Sequence, residues 1–395
     1  MIYTEFKGDR LSMLGFGAMR LPTLADGTID VPATEEMIDY AIAHGVNYFD
    51  TAMPYHSGMS EVVLGKILGK YPRESYRLAD KYPGHMKLSS YDPAATFEHQ
   101  LKKCGVDYFD YYLLHNVSEA SLDTYLDPRW GIMEYFIEQR KLGRIRHLGF
   151  STHGRLEMME SFLAEWGKEM DFCQIQLNYL DWTLQDAKAK CELLNCYQIP
   201  IWVMEPVRGG KLAKLDENSE TLLKDLRPDE SIAAWGFRFL QGIPGVTMIL
   251  SGMTNMDHVT DNIRTFQESK PLRGEELQTV FKIAETLKNT VPCTACRYCC
   301  DGCPMGLDIP TMIAILNDLR FAPSTNTAMM LEFAPEDKKP TACIGCGKCT
   351  RICPQNIDVP SALAELSERL KSVPSWAAIS KLREEEQKRA MASQK

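Results

Sequence analysis

Residues 34–50 read TEEMIDYAIAHGVNYFD and hold, in order, one helix, one turn and one strand. Four apolar side chains recur at the helical period and fall on one face of the helix: Met37, Ile38, Ala41 and Ile42. Gly45 follows where a helix commonly ends, because glycine adopts the left-handed backbone of a helix C-terminus at little cost. The β-prone run VNYFD comes next. An amphipathic helix followed at once by a strand indicates an α/β fold.

The same helix and strand unit recurs along the first 270 residues. Eight β-prone runs alternate with amphipathic helical stretches, at 13–17, 46–50, 76–81, 108–114, 145–150, 172–176, 200–204 and 246–250. Eight alternations over this length match a (β/α)₈ barrel, which typically takes about 250 residues. A doubly wound sheet is the competing architecture, but no GxGxxG motif follows the first strand. We therefore predict an α/β chain in which residues 1–270 form a TIM barrel.

The composition is that of a folded protein with an acidic balance. Of the 395 residues, 45% are hydrophobic and 25% are charged, which is close to the average of globular domains. The length exceeds what one hydrophobic core usually supports, so we expect two domains. The formal net charge of −9 disfavours phosphate backbones and anionic lipid, so we expect no nucleic-acid and no membrane partner.

The start of the chain, MIYTEFKGDRLS, lacks the basic start and apolar core of an export signal. No segment reaches the roughly 18 uninterrupted apolar residues that a membrane span needs. We therefore expect a cytoplasmic protein. Disulfides are rare in that compartment, so the 13 cysteines indicate metal binding.

Two copies of the motif CxxCxxCxxxCP lie near the C-terminus. Their cysteines are Cys293, Cys296, Cys299 and Cys303 in the first copy and Cys343, Cys346, Cys349 and Cys353 in the second. Thiolates hold iron–sulfur clusters, and in two-cluster proteins of this pattern the fourth cysteine of each copy ligates the other cluster. We therefore predict two [4Fe–4S] clusters, one held by Cys293, Cys296, Cys299 and Cys353 and the other by Cys343, Cys346, Cys349 and Cys303.

Zinc is the main alternative, because it also binds four thiolates in CxxC pairs. A third cysteine at the next CxxC step, followed by CP, is not the zinc pattern. Cys300 interrupts the first copy and leaves the choice of ligands there open, although we interpret it as a bystander. The remaining cysteines lie in apolar or helical contexts typical of small buried residues: Cys104, Cys173, Cys191 and Cys196.

Residues 285–365 resemble the bacterial-type dicluster ferredoxin domains. A helical stretch, IPTMIAILNDLRF, lies between the two motifs, and a second one, PSALAELSERL, follows them. The resemblance is therefore stronger to the mostly helical ferredoxin domains of respiratory iron–sulfur subunits than to compact ferredoxins. We expect a linker helix over 271–292, a small, mostly helical dicluster domain over 293–365, and a charged helix or tail over 366–395.

Polar side chains follow three neighbouring strands of the predicted barrel, where catalytic residues of this fold lie. The second strand ends at Asp50, and the chain continues to Tyr55. The third strand ends at Lys81 and the fourth at His115. Each residue alone has a structural explanation, such as an ion pair between Asp50 and Lys81. Together, and in this order, they resemble the tetrad of the aldo-keto reductase family, with LGFGAMRLP and SEVVLGKIL extending the resemblance over about residues 1–270.

The resemblance implies that a small aldehyde or ketone is reduced with NADPH or NADH. Negative charge builds on the carbonyl oxygen as hydride arrives, so a proton donor is needed. Tyr55 is the expected acid, and an ammonium at Lys81 would lower the pKa of its phenol from about 10. Asp50 would hold Lys81 in its charged form, and His115 would orient the substrate oxygen.

The resemblance also implies where the nucleotide binds. The expected contacts follow the strands at the same end of the barrel: Gly17, Met19, Ser151, Gln174, Met204, Pro206, Gly209, Gly210, Lys211, Ser251, Gly252, Met253 and Asn262. The loop EPVRGGKL, 205–212, would bind the pyrophosphate, although its glycines also suit a helix-capping turn. Many relatives have an asparagine after the serine, whereas Thr152 and then His153 follow Ser151 here, and Met204 stands where many have a tyrosine. Gly252 and His258 replace the lysine and arginine of NADPH-specific relatives, so the nucleotide preference stays open.

Three functions fit the two parts of the chain. The leading hypothesis is an oxidoreductase whose clusters could link the barrel to an external electron carrier, such as a ferredoxin or a partner oxidoreductase, could sense redox state, or could be structural. The first alternative is an electron-transfer subunit whose barrel is a docking scaffold, and the second is a redox-sensing protein that binds nucleotide. The complete tetrad favours the enzyme, because a scaffold needs none of these four side chains together.

Overall fold

The computed structural model describes the chain except for residues 87–89, 120, 288–290, 292, 294–296, 322–327, 329, 330, 333, 354 and 376–395. The chain divides into two compact units, Met1–Lys282 and Ile283–Lys395. A helix spans Glu275–Leu287 within the range predicted as a linker, and another spans Val359–Ser372, across the predicted start of the tail at residue 366. The domain boundaries themselves stay predictions.

The first unit is a closed barrel of eight parallel strands, preceded by a two-stranded hairpin. The hairpin strands are β1 (Tyr3–Phe6) and β2 (Asp9–Ser12). The barrel strands follow as β3 (Leu14–Gly17), β4 (Tyr48–Asp50), β5 (Arg77–Tyr82), β6 (Phe109–Leu114), β7 (Ile145–Thr152), β8 (Phe172–Gln176), β9 (Ile201–Met204) and β10 (Val246–Ser251). They pair in chain order, and β10 closes the ring against β3. The predicted (β/α)₈ barrel and its eight strands are confirmed.

Helices connect the strands of this unit. They are α1 (Val31–Ala43), α2 (Met59–Leu68), α3 (Pro93–Cys104), α4 (Leu122–Leu126), α5 (Ile132–Lys141), α6 (Leu156–Trp166), α7 (Asp181–Leu184), α8 (Ala187–Cys196), α9 (Glu217–Leu226), α10 (Ile232–Leu240), α11 (Met256–Thr265) and α12 (Glu275–Leu287).

Helix α1 shows how local sequence sets these elements. The Asp30 carboxylate accepts a hydrogen bond of 3.1 Å from the backbone N–H of Ala33, which satisfies a donor at the start of the helix. Gly45 lies beyond its end with φ +93°, the left-handed conformation that glycine adopts most easily. Three of the four predicted core residues, Met37, Ile38 and Ala41, are buried, and Ile42 is half-buried.

The N-terminal hairpin closes one end of the barrel, a feature that the sequence does not predict. Phe6 and Leu11 join the buried interior of the barrel, and the Phe6 ring meets Trp202 edge-on at 4.9 Å between centroids. Asp9 accepts hydrogen bonds from Arg77 Nε at 2.8 Å and from Tyr111 OH at 3.0 Å. Arg77 is the first residue of β5, so the hairpin covers the amino ends of the strands. The opposite, carboxyl end stays available for a site.

The second unit is mostly helical in its described part, as predicted. Its α-helices are α13 (Tyr298–Asp301), α14 (Ile309–Phe321), α15 (Lys348–Ile352) and α16 (Val359–Ser372). Arg320 and Glu365 join α14 to α16, with Arg320 Nε donating at 2.9 Å. None of the helices in the described part of the chain is long and apolar enough to cross a membrane.

The two long helices of this unit enclose a core that reaches the cysteine motifs. Buried Ile313, Leu316 and Leu363 pack in the same cluster as Cys299 and Cys349. Five further cysteines pack at the edge of that cluster: Cys293, Cys300, Cys303, Cys343 and Cys353. The hydrophobic core therefore holds both motifs in one folded unit.

Candidate active site and cluster-binding cysteines

The structure brings the four predicted catalytic residues together at the carboxyl end of the barrel. Asp50 ends β4, Lys81 lies in β5, and His115 directly follows β6. The Lys81 ammonium donates hydrogen bonds to Asp50 Oδ1 at 2.6 Å and to Tyr55 OH at 3.3 Å. A third bond of 2.7 Å goes to the backbone oxygen of Thr51. Lys81 is thus directed at the phenol of Tyr55 by two other acceptors.

The Asp50–Lys81 pair is buried, and this burial affects the pKa of both side chains. Burial alone would lower the pKa of Lys81, but Asp50 and Tyr55 together raise it above its ordinary value. Burial raises the pKa of Asp50, and the Lys81 ammonium opposes that rise. Asp50 Oδ2 has no hydrogen-bond partner among the described residues. The ammonium therefore keeps its proton and is held in place by one carboxylate oxygen.

Tyr55 departs from the sequence-based expectation. Burial raises the pKa of its phenol above the ordinary value of 10.0, and Lys81 offsets this rise only in part. The net lowering that we expect from the sequence is therefore wrong, because the sequence does not reveal how far the ring is desolvated. The phenol is therefore protonated at neutral pH, and the Lys81 ammonium is the neighbour that favours release of its proton.

His115 lies beside Tyr55, with the two ring centroids 6.0 Å apart and nearly perpendicular. Burial lowers the pKa of His115 well below 6.5, and Lys81 and two other histidines add to the effect. The imidazole is therefore neutral at neutral pH. A neutral ring can hydrogen-bond an oxygen without competing with Tyr55 as the acid.

Two further histidines surround His115. His85 follows β5 and packs edge-on against His115, at 4.4 Å between ring centroids. His153 follows β7, and its Nδ1 lies 3.1 Å from Gln176 Oε1. Burial lowers the pKa of both. His85 is a residue that sequence reasoning missed, although its position just past a strand could have indicated it.

A cavity of about 520 Å³ opens above the tetrad. Three tetrad residues line it, namely Asp50, Tyr55 and His115, whereas Lys81 is buried behind them. Of the residues predicted to bind the nucleotide, eleven line the same cavity: Gly17, Met19, Ser151, Gln174, Met204, Pro206, Gly209, Gly210, Ser251, Gly252 and Asn262. Two predicted residues do not line it, Lys211 and Met253, and Met253 is fully buried.

Polar groups on the cavity wall are held by their neighbours. Asn262 Nδ2 donates a 2.8 Å hydrogen bond to Ser251 Oγ, which joins α11 to the end of β10. Gln174 Nε2 contacts Met204 Sδ at 3.7 Å, while the buried Gln174 Oε1 has no partner among the described residues. A buried acceptor without a donor fits the amide N–H of a nicotinamide carboxamide. These residues therefore suit the predicted nucleotide.

The cavity also contains charged residues that the sequence did not single out. Arg20 Nη2 lies 4.0 Å from Glu205 Oε1 across the opening. Asp261, on α11, accepts hydrogen bonds from the Ser231 hydroxyl at 2.6 Å and from Arg264 at 2.7 Å. Arg20 and Glu205 follow strands, so the rule that located the tetrad could have found them. Asp261 carries no such signal.

Two further carboxyl groups, those of Asp80 and Glu61, are buried behind β5. Asp80 is adjacent to Lys81 in the chain, and its Oδ1 accepts a 2.8 Å hydrogen bond from the Lys81 backbone N–H. Burial and the nearby Glu61 raise the pKa of Asp80 well above 3.8. Glu61 forms an ion pair with Lys103. Asp80 therefore keeps its proton at neutral pH.

Four cysteines line one small pocket in the second unit: Cys303, Cys343, Cys346 and Cys349. This is the set that the motif spacing assigns to one cluster, including the cysteine contributed by the first motif. No three described histidine, cysteine, aspartate or glutamate side chains lie close enough together to hold a single metal ion. The four thiols instead surround a pocket, and their donor chemistry fits a cluster of several irons.

The other predicted ligand set is only partly described. Cys296 lies outside the described residues. Cys293 and Cys300 lie near enough to Cys299 to affect its titration, and Cys353 packs at the edge of the same core. Cys300 is half-buried, so the structure leaves its choice as bystander or ligand open. Among the other cysteines, Cys104, Cys173 and Cys191 are buried as expected, whereas Cys196 is exposed.

The fold and both sites define a (β/α)₈ oxidoreductase with an appended iron–sulfur domain. A family model described as "Aldo/keto reductase family" matches residues 13–285, and one described as "4Fe-4S dicluster domain" matches residues 292–357. The chain belongs to the aldo/keto reductase family and carries a C-terminal 4Fe-4S dicluster domain.

The similar proteins and solved structures each cover part of this chain. The chain is 24% identical over 311 residues to the uncharacterized oxidoreductase YqkF of Bacillus subtilis, covering 69% of this chain and 95% of that protein. It is 25% identical over 224 residues to an NADH-specific methylglyoxal reductase of Escherichia coli, covering 51% and 65%. The holo form of aldo-keto reductase AKR11C1 from Bacillus halodurans superimposes with a TM-score of 0.59, at 25% identity over 72% of this chain and 96% of that one.

Proposed function

We propose that this protein reduces a small aldehyde or ketone with NADH or NADPH, and that its C-terminal unit holds two [4Fe–4S] clusters. The observation that carries the first part is the hydrogen bond from Lys81 Nζ to Tyr55 OH, at 3.3 Å, beneath a cavity lined by the predicted nucleotide contacts. The volume of about 520 Å³ lies within the range of pockets that bind small molecules and cofactors.

The bound nicotinamide would supply hydride to the carbonyl carbon. Tyr55 gives its proton to the oxygen as negative charge develops there, and the adjacent Lys81 ammonium favours this transfer against the effect of burial. Lys81 then stabilises the phenolate, and Asp50 fixes the ammonium in that position. His115 hydrogen-bonds the substrate oxygen in its neutral form and orients the carbonyl toward Tyr55.

The charges on the cavity wall favour NADH. Arg20 is the one lysine or arginine among the described lining residues, and Glu205 lies opposite it. Asp50 and Asp261 bring the number of lining carboxyl groups to three. The 2′-phosphate of NADPH would add negative charge to this wall, so we expect kcat/KM for NADH to equal or exceed that for NADPH.

Anaerobically purified protein and a panel of aldehydes and ketones test the reductase. We expect oxidation of NADH at 340 nm with some of these substrates, and a loss of about 10²- to 10⁴-fold in Tyr55→Phe, the usual size of a general-acid contribution. Tyr179→Phe is the matched control, because it removes a buried hydroxyl that has no partner among the described residues and does not line the cavity. Unchanged rates in Tyr55→Phe would exclude this acid, and no turnover with any carbonyl would favour a scaffold or a sensor.

The four cysteines of the shared pocket support the second part of the proposal. If the chain holds two [4Fe–4S] clusters, we expect roughly eight irons and eight acid-labile sulfides per chain. Iron and sulfide analysis, with electron paramagnetic resonance of the dithionite-reduced protein, measures both. A zinc content near one or two per chain, with no visible absorption from iron–sulfur bonds, would contradict it.

A further inference from the structure

The second cysteine motif lies under an exposed surface that combines apolar and basic side chains. We name it the 340–357 face, after the segment that carries it. Ile344 and Ile352 are 63% and 51% exposed, which is unusual for isoleucine, and the ligand Cys346 is exposed beside them. Ile344 and Lys348 also line the pocket that contains four cysteines of the predicted cluster. Ile344 is therefore adjacent to the predicted cluster.

The charge of this face is opposite to that of the chain. Segment 340–357 contains Lys348 and Arg351 and no aspartate or glutamate, whereas the whole chain has a formal net charge of −9. Both side chains are exposed, and Arg351 Nη1 lies close to Gly347, next to Cys346. Lys338, just before the segment and next to exposed Glu336 and Asp337, donates a 2.8 Å hydrogen bond from its Nζ to the backbone oxygen of Met305, which lines the pocket.

The first cysteine motif does not have the basic charge of the 340–357 face. Aligned on the cysteines, segment 291–308 carries one basic residue, Arg297, against Asp301 and Asp308, whereas segment 341–358 carries Lys348 and Arg351 against Asp358 alone. Arg297 forms an ion pair of 3.1 Å with Asp308, so its charge is already balanced. Tyr298 is exposed there, and within the described residues of segment 291–308 the one basic side chain is the paired Arg297. The asymmetry singles out the 340–357 face.

We propose that the 340–357 face docks a small, acidic, one-electron carrier protein, and that electrons enter or leave the dicluster domain through the cluster held by Cys303, Cys343, Cys346 and Cys349. The docking proposal rests on the proposed function, because it requires the clusters that the proposed function assigns to this unit. A few apolar residues within a charged rim are typical of transient redox interfaces, which bury little area and rely on charge for rapid encounter. In each transfer, one cluster loses one electron and the carrier gains it, or the reverse, and no bond forms or breaks.

Charge reversal of the face tests the proposal on the full chain. In the double variant Lys348→Glu, Arg351→Glu, we expect the second-order rate of electron transfer from the dithionite-reduced protein to an acidic flavodoxin to fall at least tenfold at low ionic strength. The rate with cytochrome c, a basic acceptor, should rise. Stopped-flow absorbance at several salt concentrations measures both, and the wild-type rate with flavodoxin should fall steeply as salt screens the attraction.

Lys102→Glu, Lys168→Glu is the matched control, because it makes the same change in net charge at two exposed positions of the barrel. Ile344→Ser tests the apolar part and should weaken flavodoxin binding at high salt as well. Visible spectra and iron content of each variant verify that the clusters are intact. Equal effects of the face and barrel variants, or a flavodoxin rate independent of salt, would overturn the proposal.

Binding measured by calorimetry with oxidised flavodoxin separates this proposal from the proposed function. It requires neither carbonyl reduction nor electron transfer, so the surface is tested even if the barrel has no reductase activity. We expect a Kd that weakens at least tenfold in the charge-reversal variant and stays within twofold in the barrel control. Identical Kd values in the wild type and the charge-reversal variant would reject the 340–357 face as the docking site.

Discussion

The Lys81 ammonium donates a 2.6 Å hydrogen bond to Asp50 Oδ1 in a place where both side chains are almost fully buried. The bond joins β5 to β4 at the carboxyl end of the barrel. A buried charge that loses its partner destabilises a protein by about 3–5 kcal/mol, because its desolvation is no longer compensated. The pair therefore links the stability of the barrel to the chemistry of its site.

Two neighbouring buried carboxyl groups should respond differently to the same substitution. Asp50→Asn should lower the free energy of unfolding by about 3 kcal/mol and greatly reduce carbonyl reduction, because Lys81 loses its counter-charge. Asp80→Asn should change the unfolding free energy by less than about 1 kcal/mol, because Asp80 is protonated and an amide can replace its hydrogen bonds. Urea unfolding and NADH oxidation measure the two effects. Equal destabilisation by both substitutions would contradict this assignment of charge.

The rate of carbonyl reduction should depend little on pH over a wide range. The pKa of His115 lies well below 6.5, so the required neutral imidazole persists at mildly acidic pH. The pKa of Tyr55 lies above 10.0, so the required phenol persists to alkaline pH. We expect kcat/KM to stay flat between those values and to fall only beyond them. A limb with its midpoint between about pH 7 and 9 would show that another group controls protonation.

The hairpin at the closed end of the barrel should contribute stability without affecting catalysis. Burial alone would raise the pKa of Asp9, but hydrogen bonds with His147 and Arg77 lower it well below 3.8. Because the folded value is depressed, this stabilisation is fully present above pH 3.8 and is lost as the pH falls toward the folded value. Asp9→Asn should lower the unfolding free energy at pH 7 by about 2 kcal/mol, the usual size for a charged hydrogen bond.

Turnover per folded molecule should not change in Asp9→Asn, since the residue lies at the amino ends of the strands. Asp107→Asn, at an exposed position, is the control and should leave the unfolding free energy within about 0.5 kcal/mol. A loss of kcat in Asp9→Asn that exceeds its loss of folded protein would show that the two ends of the barrel communicate.

Pairs of cysteine substitutions test the interleaved ligation. Cys303→Ser with Cys343→Ser removes two ligands from one predicted cluster, so iron content should fall by about half. Cys303→Ser with Cys293→Ser removes one ligand from each, so both clusters should be damaged and nearly all iron lost. Iron analysis after anaerobic purification distinguishes the pairs, with Cys191→Ser as a control that should keep all iron. The opposite ranking would mean that each motif ligates its own cluster.

Most strands and helices of the barrel can be predicted from the periodicity of apolar residues in the sequence. Each strand is a short β-prone run between amphipathic helices, and all eight appear where the sequence predicts them. The hairpin escapes such reasoning because DRLS and YTEF are too short and polar to indicate burial. Only the closed barrel provides the aromatic interior against which Phe6 packs.

The residues of the site also fall into two groups, those that the sequence pattern locates and those that it does not. Asp50, Lys81 and His115 could be located because parallel strands bring their carboxyl ends to one rim. His85 lies just past a strand and could have been located by the same rule, whereas Asp261 could not, because its position depends on how a helix folds back over that rim. The direction of the Tyr55 pKa was also inaccessible, since desolvation depends on residues distant in the chain.

The sequence by itself determines the strand order, the tetrad and the eight cysteines, because each is written as a local pattern or a fixed spacing. Tertiary structure alone decides how far Tyr55 is desolvated, which carboxyl group keeps its proton, and which cysteine motif lies under a basic, apolar surface. Those properties arise from burial and from charges that come together only on folding. Local spacing can name the groups that perform the chemistry, whereas their protonation and accessibility depend on the packing around them.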